Sequence, residues 1–356
     1  MAYTDIDDPS AYFQTTLYTG NSTEPRNIDV GFQTDFTWVK DRTIAYHHRL
    51  FDSTRGGAPI YSNQTSAQDG YNDGPELDFS SPHTNGFKIV DNPDGTTNSY
   101  GVNQNNSNII SWNWKCNGGT TSTNTSGSIN STVQVNSDAG FSIVKFTGDN
   151  SSDQTIGHGL GTTPHMIILK AYTVTAEWVV FHKKMGNGRF MYLNNANGQS
   201  NDISYWGTPS TTTFGVKGGG WANNVSGADH IAYCFAPKQG YSKFGNYKGN
   251  GSANGAFVYT GFKPAFVMTK STSTGSWSLY DNKRLGYNPI DVWLRANGPD
   301  AESTSAISGD DIDLYSNGFK LRNSDNTING SGTTYIYMAF AENPLVTSTG
   351  APTTAR

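Results

Sequence analysis

The chain has 356 residues, too many for one small sandwich and enough for two or three domains. Its formal net charge is −5 with no basic block, which excludes the electrostatic footprint of a nucleic-acid binder. Aromatics reach 13% while charged residues stay at 15%, so the abundant Gly, Asn, Ser and Thr read as turns between short apolar strands, not as disorder.

The opening, "MAYTDIDDPSAYFQTTLYTG", has neither a basic n-region nor an apolar h-region. Synthesis in a cytoplasm without a secretory signal is therefore expected. No stretch approaches the roughly 18 consecutive apolar residues of a membrane-spanning helix. An aromatic-x-Gly step, "YTGN" at Tyr18, comes first. A strand ending in lysine follows, "GFQTDFTWVK" to Lys40, and then a second apolar run, "RLFDSTRG". A strand–turn–strand stretch starts at Thr84 and ends in "NIISWNWK".

From Cys116 to Gly140 the chain is rich in Ser, Thr, Gly and Asn and reads as a connector, with "STVQV" as an extra strand. The same landmarks then return twice in the same order. "FTGD" at Phe146, "GTTPHMIILK" to Lys170, "WVVFHKKMG" and a strand pair ending "HIAYCFAP" form the second set. "YKGN" at Tyr247, "GFKPAFVMTK" to Lys270, "WSLYDNKRLG" and a pair ending "YIYMAFAENP" form the third. Phe146 to Tyr247 spans 101 residues, Pro164 to Pro264 spans 100, and Phe214 to Phe319, Ile231 to Ile336 and Phe235 to Phe340 each span 105. An ordered series of this kind predicts three related units, residues 1–117, 118–240 (with the connector) and 241–356.

The last strand of each set fixes which face is core, because successive side chains on a strand point to opposite sides. Ile110, Trp112 and Trp114 share one face; Ile231, Tyr233 and Phe235 repeat it; Ile336, Met338 and Phe340 repeat it again. The alternate positions are small or polar: Ser111 and Asn113, Ala232 and Cys234, Tyr337 and Ala339. The lysine-ended strands "HMIILK" and "AFVMTK" are apolar almost throughout, as in a strand covered on both faces. Six or seven short strands per unit suit a two-sheet sandwich of about 100 residues. The expected fold is thus all-β, three tandem jelly-roll or lectin-like sandwiches, compatible with a pseudo-threefold arrangement. Any helix should be short, with "YNPIDVWLRAN" as the place for one.

Chemistry is sparse. The chain lacks a G-x-S-x-G elbow, an H-E-x-x-H pair and a P-loop. "GNGSANG" at Gly249 and "GHGLG" at Gly157 read as turns, and His158 has no Cys or His partner at metal spacing. The five glutamates, Glu24, Glu76, Glu177, Glu302 and Glu342, form no pair at equivalent strand positions, so the two-carboxylate arrangement of a glycosidase finds no support. Cys116 and Cys234 fall at non-equivalent positions and read as free thiols. No cofactor motif is present. Calcium is the one ion the acids could take, through Asp310, Asp311 and Asp313, or through Asp91 and Asp94, although solvated turn acids are the default. Trp112, Trp114, Trp178 and Trp277 sit at strand positions and are expected in the core. Trp206, Trp221 and Trp293 sit in loop-like contexts and are the candidate contacts for a sugar or a protein partner.

Long phrases carry a resemblance. "FTWVKDRT", "HHRLFDSTRGG", "ISWNWKCNGG", "FSIVKFTGDNSSDQTIGHGLGTTPHMIILK", "YCFAPKQGYSKFGNYKGNG" and "VYTGFKPAFVMTKS" resemble a class of virion proteins from phages of marine bacteria and cyanobacteria. These are described as tail-fibre-like or concanavalin-A-like lectin-type proteins. The resemblance implies a non-enzymatic virion structural protein, displayed on the particle and binding host surface polysaccharide. Other virion proteins are the implied partners, with several copies or a homo-oligomer on the virion. A departure from the tail-fibre pattern is that no heptad stalk is present. That leaves capsid decoration or a head–tail accessory role as the alternative, and a polysaccharide depolymerase as a remoter one.

Overall fold

The structure, a computed structural model, describes residues 5–68, 76–79, 84–90, 101–202, 205–219, 222–304 and 311–343. It is all-β, and every strand ladder is antiparallel. The first stretch contains β1 (Phe13–Thr19), β2 (Arg26–Asp29), β3 (Phe36–Asp41), β4 (Arg49–Asp52), β5 (Gly56–Tyr61), β6 (Leu77–Asp78), β7 (Gly86–Ile89) and β8 (Asn108–Trp114). The second contains β9 (Ser122–Asn124), β10 (Ser131–Asn136), β11 (Phe141–Thr147), β12 (Gln154–Gly157) and β13 (Met166–Ala171). It continues with β14 (Trp178–His182), β15 (Met191–Tyr192), β16 (Trp206–Gly207), β17 (Thr213–Val216) and β18 (Asp229–Phe235). The third contains β19 (Ser242–Lys248), β20 (Phe257–Tyr259), β21 (Phe266–Ser271), β22 (Ser278–Asp281) and β23 (Val292–Arg295). It ends with β24 (Ser303–Thr304), β25 (Ile312–Tyr315), β26 (Gly318–Leu321) and β27 (Thr334–Phe340).

Each stretch builds one large and one small sheet. The large sheets run β1-β8-β3-β4-β5, β9-β10-β11-β18-β13-β14-β15 and β19-β27-β21-β22-β23-β24; the small ones run β2-β7-β6, β12-β17-β16 and β20-β26-β25. The order of the first five strands of the first sheet therefore recurs in the other two. The registers agree as well: Trp114 faces Phe36, Phe235 faces Met166 and Phe340 faces Phe266. "STVQV" is a strand, β10, which widens the second sheet by pairing with β11. The stretch offered as a helix, Tyr287 to Asn297, instead carries β23, and among the described residues the helical ones are two short 3₁₀ turns at Pro9–Ala11 and Lys183–Met185. Ile290, Val292 and Leu294 are buried at every second position, a strand period that overrides the modest helix propensity of the run. Among the described residues no helix is long and apolar enough to cross a membrane.

Both faces of β8, β18 and β27 are buried. The large apolar faces of the three large sheets meet one another: Phe36 of β3 stacks on Tyr233 at 4.1 Å, Phe13 of β1 on Phe340 at 5.3 Å, and Phe235 contacts Phe340 at 5.8 Å. All three large sheets thus share a single aromatic core. The alternate faces, small or polar in sequence, lie under the small sheets and belong to three separate outer cores, where Phe87, Phe214 and Phe319 take the same place opposite Ile28, Ile156 and Val258. Cys116 and Cys234 are free and buried.

Matched hydrogen bonds join the sheets in a closed circuit. The Gln68 amide donates to the Tyr172 carbonyl (2.6 Å), Gln199 to Thr272 (2.8 Å) and Glu302 to Arg42 (2.9 Å). These link first stretch to second, second to third and third to first. A second circuit runs through side chains. The Trp178 indole donates to the Tyr61 carbonyl and that of Trp277 to the Tyr192 carbonyl, each at 2.8 Å. At the matching place in the first sheet stands His48, whose ring lies beside the Arg295 backbone and accepts from the Trp38 indole at 2.9 Å.

The three lysines that end β3, β13 and β21 are buried, and their ammonium groups bond to loop carbonyls. Lys40 reaches Asp41 and Ile44, Lys170 reaches Thr65 and Ala176, and Lys270 reaches Ser271 and Ser273. Burial pushes Lys170 down to about 7, and Lys40 and Lys270 down to about 8. In the unfolded chain a lysine titrates near 10.4. Above pH 7 the unfolded state therefore holds a proton at residue 170 that the folded state has lost, and stability rises with pH. Between pH 7 and 8 Lys170 contributes most, with a slope of up to about 1.4 kcal/mol per pH unit, and Lys40 and Lys270 add to it as pH nears 8. Urea melts of wild type and Lys170→Met across that window check this: the variant should show a shallower rise, and an equal slope in both would refute it.

Candidate functional site

Of the tryptophans singled out by sequence, Trp206 and Trp293 belong to different outer cores. Trp206 begins β16 and is 2% exposed, packed against Phe181 at 6.0 Å and Phe214 at 6.1 Å. Its loop-like context misled because the strand is only two residues long, yet its pairing with Val216 turns the indole into the second outer core. Trp293 lies on β23, partly buried against the third outer core, with the Arg295 guanidinium 3.8 Å from its ring centre. Trp221 and Asp310 lie outside the described residues, as do Asp91 and Asp94. Asp313 is buried on β25, paired with Arg322 at 3.3 Å and accepting from the Tyr315 hydroxyl at 2.9 Å. The carboxyl of Asp311 is raised by burial and by the neighbouring Asp291 and Asp313. Among the described residues no group of three or more His, Cys, Asp or Glu converges on a metal position, and Asp313 already holds its two partners.

A cleft of about 640 Å³ opens in the first stretch beside Gln33, Ser53, Leu77, Phe79, Gly118 and Gly119. Asp35 lies beneath it. Its carboxylate accepts from the amides of Cys116 (2.6 Å), Gly118 (3.0 Å) and Gly119 (2.9 Å) and from the Ser53 hydroxyl (2.8 Å). Burial still pushes this carboxyl up, against the lowering effect of those bonds. With four donors on two oxygens, Asp35 ties the start of the connector to β3 and leaves no free lone pair pointed at a substrate.

The outward face of the third small sheet is different. On β20 only Val258 points into the core, and the alternation leaves Phe257 47% and Tyr259 60% exposed. On β25, at the other side of the sheet, Tyr315 is 40% exposed. Phe257 and Tyr315 meet edge to face at 6.0 Å across β26. Between them sits Gly318, where a Cβ would come 2.8 Å from the Phe257 ring and 2.2 Å from the Val258 carbonyl, so the bare backbone lets the ring lie across the strand. Lys243 holds the far end, with its ammonium 2.9 Å from the Tyr259 carbonyl and 4.9 Å from the centre of its ring. Lys320, facing the same way, is fixed by Asn254 at 2.6 Å.

The other small sheets are internal controls. By register, the places of Phe257 and Tyr259 are held by Asn27 and Asp29 in the first sheet and by Thr155 and Gly157 in the second. The fold therefore does not require an aromatic at either position. A contiguous exposed aromatic patch on one of three matching faces is the informative kind of exposure. The signal was present in sequence: "NIDVGF", "TIGHGL" and "FVYTGF" align, and only the last has an aromatic at both polar positions. It was passed over because tryptophan alone was weighed as a contact residue. Two clefts flank Tyr259, one of about 450 Å³ bordered by Lys238, Gln239 and Thr260, the other of about 300 Å³ bordered by Lys184, Asn246 and Phe257.

No curated protein and no solved structure matches the chain. A family model does, over residues 8–344, and so spans all three pairs of sheets. The chain belongs to the family described as Domain of unknown function (DUF7483).

Proposed function

We propose that this chain is a non-enzymatic phage virion protein of the tail-fibre or appendage type, exposed on the particle and binding host surface glycans. In this reading residues 1–117, 118–240 and 241–356 are three repeated sandwiches closed about a pseudo-threefold axis. The observation that carries glycan binding is the exposed array of Phe257, Tyr259 and Tyr315 on a face that the matching sheets keep polar or bare. Aromatic faces bury the apolar face of a sugar ring, and flanking amides and ammonium groups take its hydroxyls. Each contact is weak, and copy number on the particle multiplies it by two to four orders of magnitude.

The test is adsorption of particles carrying Phe257→Ala, Tyr259→Ala and Tyr315→Ala together. The three rings are largely outside the core, so folding should change by no more than about 0.5 kcal/mol per site. Adsorption should fall at least about tenfold, since that corresponds to only about 1.4 kcal/mol. Normal adsorption by a folded triple variant would remove the reading. The closed hydrogen-bond circuits favour a second reading, a decoration or head–tail accessory protein whose partner is another virion protein. Antibody labelling over the capsid, absent from the tail, would select it.

A further inference from the structure

We infer that the ligand of the third small sheet is an anionic glycan, a chain of pyranose rings bearing carboxylate or another acidic group. The inference rests on the glycan-binding reading and adds the charge of the sugar. Tyr259 separates the two clefts, and Lys243 borders both. Lys184 completes the border of one and Lys238 that of the other. Among the described residues neither cleft is bordered by a single Asp or Glu, although acids outnumber bases in the chain by 29 to 24. The carboxylates nearest the aromatic face, Asp311 and Asp313, belong to the β25 side of the sheet, across it from the β20 edge that carries Tyr259, and Asp313 is occupied by Arg322 and the Tyr315 hydroxyl.

Among the described residues no carboxylate pairs with these lysines. Among the described residues Lys184 makes no ion pair, and the ammonium of Lys243 is placed on a carbonyl and a ring, not on a carboxylate. The two repel each other enough to add to the burial that lowers Lys243. Holding like charges together beside an apolar ring is unfavourable, and an anion placed between them relieves it. Lysine suits this task as a mobile point charge that follows an acidic group without demanding the bidentate geometry arginine would impose. The arrangement pairs a stacking surface for the ring with cations at its rim, so it reads both the shape and the charge of an acidic sugar.

Titration of the intact chain with oligogalacturonate, dextran sulfate and neutral dextran tests this at about 0.15 M salt, where exposed charges more than roughly 8 Å apart are screened. At least one anionic polymer should bind about tenfold or more tighter than neutral dextran. Lys184→Glu should remove most of that preference, weakening the anionic polymer far more than dextran, whereas Tyr259→Ala should weaken both to a similar degree. Preference for oligogalacturonate over dextran sulfate would assign carboxylate, and the reverse would assign sulfate-like groups. Equal or tighter binding of dextran would overturn the charge inference and leave the glycan reading standing. Anionic binding that is insensitive to Tyr259→Ala would be non-specific attraction and would overturn the site. Failure of all three polymers to bind, with normal adsorption of the triple aromatic variant, would remove both.

Discussion

Trp114→Ala is expected to lower stability by about 3–5 kcal/mol, the usual cost of emptying a buried tryptophan site. Trp114 is 1% exposed at the end of β8, and its ring touches residues from all three stretches. Phe13 and Phe36 lie 5.0 Å away in its own sheet, Phe235 lies 6.4 Å away in the second, and Phe266 and Phe340 lie 5.9 and 5.6 Å away in the third. Because those neighbours come from separate sheets already pinned to each other by hydrogen bonds, the site cannot collapse cheaply around the void. The loss should therefore sit toward the upper end of the range and appear as one cooperative transition. Denaturant melts followed by tryptophan fluorescence and by far-UV dichroism check this. Two separated transitions, with one sheet pair surviving the other, would contradict the shared core.

The second large effect lies at Asp52, which is buried and holds Arg55 at 2.5 Å. The same carboxylate accepts from the amides of Thr54 (3.1 Å) and Arg55 (2.8 Å) and from the Tyr233 hydroxyl of the second sheet (2.7 Å). Asp52→Ala leaves a guanidinium that is 1% exposed without its counterion and a phenol without its acceptor. A cost of about 3–5 kcal/mol is expected. The chain supplies its own control. Asp281 and Arg284 repeat the pair in the third stretch at 2.5 Å, but in the second the same places hold His182 and Met185. His182 keeps the capping bond, accepting from the Lys184 amide at 3.2 Å, and burial drives its pKa down to about 3, so it stays neutral there. A buried ion pair has thus been exchanged for a neutral cap and an apolar side chain within one molecule. The double variant Asp52→Ala, Arg55→Met should accordingly be more stable than Asp52→Ala alone, by more than about 1 kcal/mol. Equal stability of the two would show that the orphaned guanidinium is not the source of the cost.

The all-β class was legible because strand periodicity survives in short runs, and the core faces of β8, β18 and β27 could be read residue by residue. Their destination could not. Alternation says that Trp112 and Trp114 are buried, but it does not say whether a small sheet or a neighbouring large one covers them, and the neighbouring one does. The small, polar faces carrying Asn113 and Cys234 are buried too, and there the Asn113 amide donates to the Gln14 carbonyl and to the Ser111 carbonyl and hydroxyl. At the site, composition pointed toward tryptophan, while exposure, which no periodicity encodes for a two- or three-residue strand, selected Phe257, Tyr259 and Tyr315.

The closed arrangement also divides the molecule by how freely it can change. A substitution at Phe36, Tyr233 or Phe340 must be tolerated by partners from more than one sheet, so the inner surface resists drift. An outward position on a small sheet answers only to its own strands. One such position already holds asparagine, threonine and phenylalanine in the three sheets of a single chain, at Asn27, Thr155 and Phe257. Recognition placed there can be rewritten one residue at a time while the scaffold beneath it stays the same.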